Sequence, residues 1–195
     1  MPRKGQITRE TAETKISADL ELDGKGQSSI STGLPFMEHM LEAFTAHAGF
    51  DLNLQAKGDL EVDSHHLMED VGLVLGQSFC QSVGEKRGIR RFGSALVPMD
   101  DVLVRVAVDI SGRPYLGYHS MPQAGVVGNV KAILFREFFQ AFTNNAGVTM
   151  HADLLHGAEL HHVFEALFKA AGRGISQGVQ TEGASQVPST KGSLD

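Results

Sequence analysis

Four of the nine histidines form adjacent pairs, His65-His66 and His161-His162, and each pair is followed at the same spacing by a glutamate, Glu69 and Glu165. On a helix, positions three or four apart share a face, so either imidazole of His-His-x-x-Glu can work beside the carboxylate. Each residue advances a helix by about 100°, so the two rings of a pair diverge and serve different ions. Two such motifs point to two ions in similar sites, each collecting imidazole and carboxylate ligands from several elements. A nitrogen and oxygen donor set without thiolate suits Mn, Fe, Co or Zn. The number of ligands available favours an octahedral ion over a closed tetrahedral structural one.

The chain also repeats itself. Ala43-Phe44-Thr45-Ala46-His47-Ala48-Gly49 is matched by Ala141-Phe142-Thr143-Asn144-Asn145-Ala146-Gly147, with five identities in seven. The same offset sets His39 on Glu137, which makes both ligand candidates, and a nearly equal one sets His65-His66 on His161-His162. His47 and His151 are weaker metal candidates, because their counterparts are Asn145 and a position near Asn53; His119 and His156 read as ordinary surface histidines. Arg91 and Arg113 stand beside glycines at strand edges. Lys169 follows Glu165 by one helical turn, and Ser189-Thr190-Lys191-Gly192 combines hydroxyls, a cation and a flexible glycine. Together these groups suit a phosphate.

The elements that must hold these residues follow from hydrophobic period. Ile16, Ala18, Leu20 and Leu22 alternate with polar residues as a half-buried strand does, and Asp23-Gly24 supplies a turn, so a hairpin opens the chain. Helical spacing from Phe36 to Ala48 stops at Gly49. A strand carries Leu52, Leu54 and Ala56, and Leu67, Val71, Val74, Leu75 and Phe79 make a helical stripe whose first turn holds His65-His66. The second half predicts strands near Ala95–Val97, Val102–Val108 and Tyr115–Tyr118, a helix over Val130–Asn145, a strand from Val148 and a helix from His161. The expected fold is α+β: two pseudo-symmetric duplicated half-domains over 1–92 and 93–181, each a β-sheet packed against α-helices, then a flexible tail over 182–195.

Composition narrows the chemistry further. The 195 residues carry 17 Lys and Arg against 23 Asp and Glu, a net charge of −6, which lacks the basic footprint of a nucleic-acid binder. The single cysteine, Cys80, excludes an internal disulfide and a thiolate zinc site and fits a reducing compartment. No apolar run is long enough for a membrane span, and a cytoplasmic protein is expected.

The order and spacing of several segments resemble the imidazoleglycerol-phosphate dehydratase family over nearly the whole chain. They are Leu34-Pro35-Phe36-Met37-Glu38-His39, Asp63-Ser64-His65-His66 through Glu69-Asp70, Arg91-Phe92-Gly93, Ser111-Gly112-Arg113-Pro114-Tyr115, Glu137-Phe138-Phe139, His161-His162 through Glu165, and Phe168-Lys169-Ala170. The resemblance implies a hydro-lyase of histidine biosynthesis that binds two Mn2+ per subunit, other divalent transition metals being possible, in a large homo-oligomer, commonly of 24 chains. It implies one ion on His39, His66, His161 and Glu165, and another on His65, Glu69, His162 and Glu137. Glu10 resembles the family's substrate-contacting glutamate and is the expected acid-base group, with Glu69 and Glu165 also catalytic. His39, His47, Arg91, Arg113, Lys169, Ser189 and Lys191 match substrate-binding positions. The implied reaction converts imidazole glycerol phosphate to imidazole acetol phosphate through a metal-bound imidazolate. From the residues alone, a dinuclear metallohydrolase of a phosphate ester and a non-catalytic metal-binding oligomer remain as alternatives. Glu38, Arg136 and Ala158-Glu159 depart from the family's usual residues.

Overall fold

The computed structural model of the chain describes residues 2–183 and 188–189. Strands β1 (Lys4–Glu10) and β2 (Thr14–Glu21) pair antiparallel, and Thr11 Oγ1 closes their turn by accepting from the backbone N–H of Glu13 and Thr14 at 3.2 and 3.0 Å. The opening hairpin is therefore turned at residues 11–13, not at Asp23-Gly24. Asp23 instead takes the Arg3 guanidinium at 2.6 Å, and the free edge of β2 is filled by β4 (Asp51–Gly58). The chain leaves β2 for β3 (Ser28–Ser31), crosses through α1 (Pro35–Ala48) and returns as β4, parallel to β3. Helix α2 (His65–Val83) follows.

The second half repeats this path. β5 (Phe92–Met99) and β6 (Val102–Asp109) form the hairpin, β7 (Tyr115–His119) is the far edge, α3 (Ile133–Ala146) crosses over, and β10 (Thr149–His156) returns between β6 and β7 before α4 (Leu160–Val179). The sheet orders, β1-β2-β4-β3 and β5-β6-β10-β7, are the same topology twice. One insertion distinguishes the second half from the first: between β7 and α3, β8 (Val126–Val127) and β9 (Val130–Lys131) pair with each other. The expected helix consequently starts at Ile133, because Val130 and Lys131 are committed to this ribbon.

The helices cross between halves: α2 packs on β1 and β2 and on α3, while α4 packs on β5 and β6 and on α1. Glycines permit the approach. A Cβ at Gly76 would lie 2.6 Å from the Phe142 carbonyl oxygen, and one at Gly172 would lie 2.5 Å from that of Phe44, the repeat partner of Phe142. Phe135 and Phe138 of α3 stack on Phe164 and Phe168 of α4, with centroids at 4.1 and 5.4 Å. All four rings are buried. Burial of such side chains contributes about 1.5–3 kcal/mol each, which fixes the helices that carry the polar cluster. Among the described residues no helix is long and apolar enough to cross a membrane.

Candidate metal centre and anion-binding residues

Three side chains meet where α1 lies against α4. His39 Nε2 is 3.3 Å and His161 Nε2 3.0 Å from Glu165 Oε2, and one donor atom of each residue lies within 4.8 Å of the other two. Local sequence sets this geometry. Pro35 opens α1 with its φ already helical. Glu38 Oε1 accepts from the backbone N–H of Thr32 and Gly33 at 2.6 and 2.9 Å, which anchors the loop ahead of His39. Glu159 caps α4 by accepting from the His162 backbone N–H at 2.8 Å, and the Phe36 ring stands edge-on to His161 at 5.2 Å. Two of the departures from the family pattern, Glu38 and Glu159, thus hold the entry to a ligand-bearing helix.

Glu165 is buried to 8% exposure, yet its carboxyl lies below the usual range: burial raises it, and Lys169 Nζ at 2.7 Å together with the two imidazoles lowers it further. It is an anion at neutral pH, flanked by two nitrogen donors. Such a set fits an imidazole-preferring divalent ion. The repeat generates a counterpart: His65 Nε2 is 3.7 Å from Glu69 Oε2 on α2, and Glu137 of α3 occupies the position equivalent to His39, with Arg136 3.7 Å away. Among the described residues His65 and Glu69 approach each other, but Glu137 does not join them in a three-residue cluster like the first.

The other histidine of each pair turns away. The rings of His65 and His66 stand at 89° to each other, and those of His161 and His162 at 82°. His66 Nδ1 lies 3.0 Å from Asp59 and 3.8 Å from Glu13, while His162 Nδ1 lies 3.0 Å from Asp101. Both imidazoles titrate above the ordinary histidine value, through the hydrogen bonds to Asp59 and Asp101 respectively. Within one chain neither joins the cluster that the resemblance implied for it. Glu13 and Asp101 sit in the equivalent hairpin turns β1–β2 and β5–β6, so the divergence obeys the pseudo-symmetry. Sequence reasoning missed Asp59 and Asp101, because the repeat offset of 98 sets Glu13 on Ser111 and the hairpin equivalence of Glu13 with Asp101 emerges only from strand pairing.

The anion-binding candidates divide into two places. Arg91 grips Asp109 with Nε and Nη2 at 2.6 and 3.0 Å, Arg113 Nη2 reaches Asp109 at 3.5 Å, and Arg91 Nη1 donates to the Pro188 carbonyl at 2.9 Å, next to Ser189. Arg91 holds a left-handed φ of 73° and donates its backbone N–H to Gly178. Lys169, nine residues earlier on α4, is therefore about 14 Å away along the helix axis, against Glu165. In one chain the expected phosphate set does not converge. His47 sits near the Lys169 end: Arg173 Nε is 3.4 Å from its Nδ1, and burial followed by Arg173 lowers its pKa. Glu10 is exposed and paired with Lys15 at 2.9 Å. Lys191 lies outside the described residues.

A duplicated α+β scaffold that aims paired imidazole and carboxylate groups from crossing helices, with arginines on its sheet edges, defines a class suited to metal-assisted chemistry on an anionic small molecule. Residues 32–175 match the family model "Imidazoleglycerol-phosphate dehydratase". Similar chains include the imidazoleglycerol-phosphate dehydratases of Acetivibrio thermocellus, 49% identical with both chains covered completely, and of Caldanaerobacter subterraneus, 50% identical with 98% of this chain and 100% of the relative covered. The Staphylococcus aureus enzyme's crystal structure superposes with a TM-score of 0.81 at 38% identity, covering 91% and 99% of the two chains. That of Pyrococcus furiosus, solved in complex with (S)-C348, gives 0.83 at 35%, covering 96% and 100%. The chain belongs to the imidazoleglycerol-phosphate dehydratase family. It is a hydro-lyase of histidine biosynthesis.

Proposed function

We propose that the chain removes water from D-erythro-imidazole glycerol phosphate to give imidazole acetol phosphate, in a cytoplasmic homo-oligomer that uses two Mn2+ per subunit. The observation that carries this reading is the meeting of His39, His161 and Glu165, repeated in sequence by Glu137, His65 and Glu69. His66 and His162 supply the fourth ligand of each set. Because both turn outward toward their own hairpins, each serves a cluster of another copy, and an oligomer as large as 24 chains satisfies every ligand at once.

The carbon that loses its proton has no adjacent carbonyl, so a carboxylate alone cannot deprotonate it. His39, His161 and Glu165, with their counterparts Glu137, His65 and Glu69, would hold divalent ions, and these would supply Lewis acidity toward the substrate's imidazole ring that favours loss of the neighbouring hydroxyl. Glu10 then takes the side-chain proton, leaving an enol that tautomerises to the ketone. Glu69 and Glu165 bind as anions, and Lys169 keeps Glu165 charged. Arg91, Arg113, Ser189 and Lys191 orient the phosphate, Lys169 reaches it from another copy of the chain, and His47 lines the substrate side near Lys169. The half-domains are drawn at 1–92 and 93–181, and most of the remaining segment, 182–195, lies outside the described residues.

His162→Ala is expected to abolish turnover and to lower bound metal, by enol-product absorbance and elemental analysis. Full activity in a verified metal-free His162→Ala protein overturns the assignment. Release of inorganic phosphate in place of the enol product identifies a phosphate-ester hydrolase instead.

A further inference from the structure

The outer face of the second sheet holds a histidine pair that belongs to neither cluster. His119, near the end of edge strand β7, and His151, on β10, are 32 residues apart in sequence, yet His119 Nε2 lies 3.4 Å from His151 Nδ1 and the rings stack at 16°. Parallel pairing of β7 with β10 sets Gly117 opposite His151 and Asp153 opposite His119. Gly117 makes the meeting possible: a Cβ there would lie 2.6 Å from His151 Nδ1 and 2.7 Å from His119 Nε2, so any other residue would occupy the space where the two nitrogens converge. On the far side of His151 the Tyr115 ring packs at 5.4 Å, which fixes the imidazole plane. Asp153, opposite His119 in the register, is held by Arg105 at 3.1 Å through Oδ2.

We propose that His119 and His151 form a surface site for a zinc-like divalent ion, separate from the catalytic metals. Two nitrogens at 2.0–2.1 Å from a tetrahedral ion stand about 3.3 Å apart, close to the separation found here. Between two neutral imidazoles at this distance, one must present N–H and the other a lone pair. An ion turns both lone pairs inward and leaves the other ring nitrogens protonated toward solvent. Borderline metals that prefer imidazole, Zn2+ above all, are favoured over Mn2+ or Mg2+. The remaining positions are filled by water, and the ion ties the edge strand β7 to β10.

The test is zinc binding to the full-length oligomer at controlled free Zn2+, by equilibrium dialysis with elemental analysis, on the wild type, His119→Asn and His151→Asn. Each variant is expected to bind one zinc per chain fewer than the wild type, and the zinc-dependent rise in thermal midpoint is expected to shrink. His119→Asn leaves turnover with Mn2+ unchanged. Equal zinc stoichiometry in the wild type and in His119→Asn, an exposed substitution on an edge strand, overturns the proposal. The readout is a difference between proteins, so it stands whatever number of ions the catalytic clusters hold.

Discussion

Glu165 gathers more of the site's charge than any other side chain: two imidazoles and an ammonium bond to one buried carboxylate. Glu165→Gln keeps the shape and removes the charge, so metal retention after dialysis is expected to weaken about 100-fold or more, with kcat falling in parallel and the midpoint of unfolding changing little. Retained metal and turnover in that variant would exclude Glu165 as a ligand. Tyr118 poses a different problem, since its hydroxyl is buried on β7 without a hydrogen-bond partner among the described residues, and burial pushes the phenol well above its usual range. The folded state therefore holds this proton more tightly than the unfolded state, whose phenol ionises near 10. Stability is unaffected below that pH and declines as pH rises beyond it. In Tyr118→Phe the alkaline decline should be shallower, and near pH 7 unfolding should cost the same or about 1 kcal/mol more. Denaturant titrations at pH 7 and pH 11 measure both.

Among the elements, the two helix crossings share one construction. Gly76 faces the Phe142 carbonyl on α3 and Gly172 faces the Phe44 carbonyl on α1, with no room for a methyl group in either place. A backbone oxygen cannot rotate aside as a side chain can. Gly172→Ala is expected to destabilise the fold by about 1–3 kcal/mol and to shift α4 against α1, separating His39 from His161. Thermal melts and metal content read the two effects independently. Gly76→Ala should cost a similar amount while disturbing Glu69 and Glu137 instead. A calorimetric midpoint unchanged in either variant would show that the crossings are looser than drawn.

For the whole molecule, the outward turn of His66 and His162 decides where a complete site forms. If one chain supplies His39, His161 and Glu165 and another supplies His66, then His39→Ala and His66→Ala chains, each inactive alone, complement each other. Random co-assembly restores about a quarter of the sites. Denaturing the two variants together, refolding the mixture and assaying turnover makes the comparison. Activity no higher than that of either parent would place His66 and His39 in a site within one chain.

Local pattern fixed a good deal in advance. The helical stripe behind His65, the stop at Gly49, the strand over Leu52 to Ala56 and the doubling around Phe44 and Phe142 all depend on residues close in sequence, and all are present. The turn at Asp23-Gly24 is present but does not close the opening hairpin, because distant partners, Arg3 and β4, hold Asp23 and the free edge of β2, while the helix start at Val130 gave way to a local ribbon with β8. Pairings across long separations had no sequence signature, as with His162 on Asp101, Arg91 on Asp109 beside Pro188, and His119 on His151. Period and spacing declare which face of its own helix or strand a side chain occupies. Which other element that face meets depends on strand order and helix crossing, and those are set only when the whole core packs.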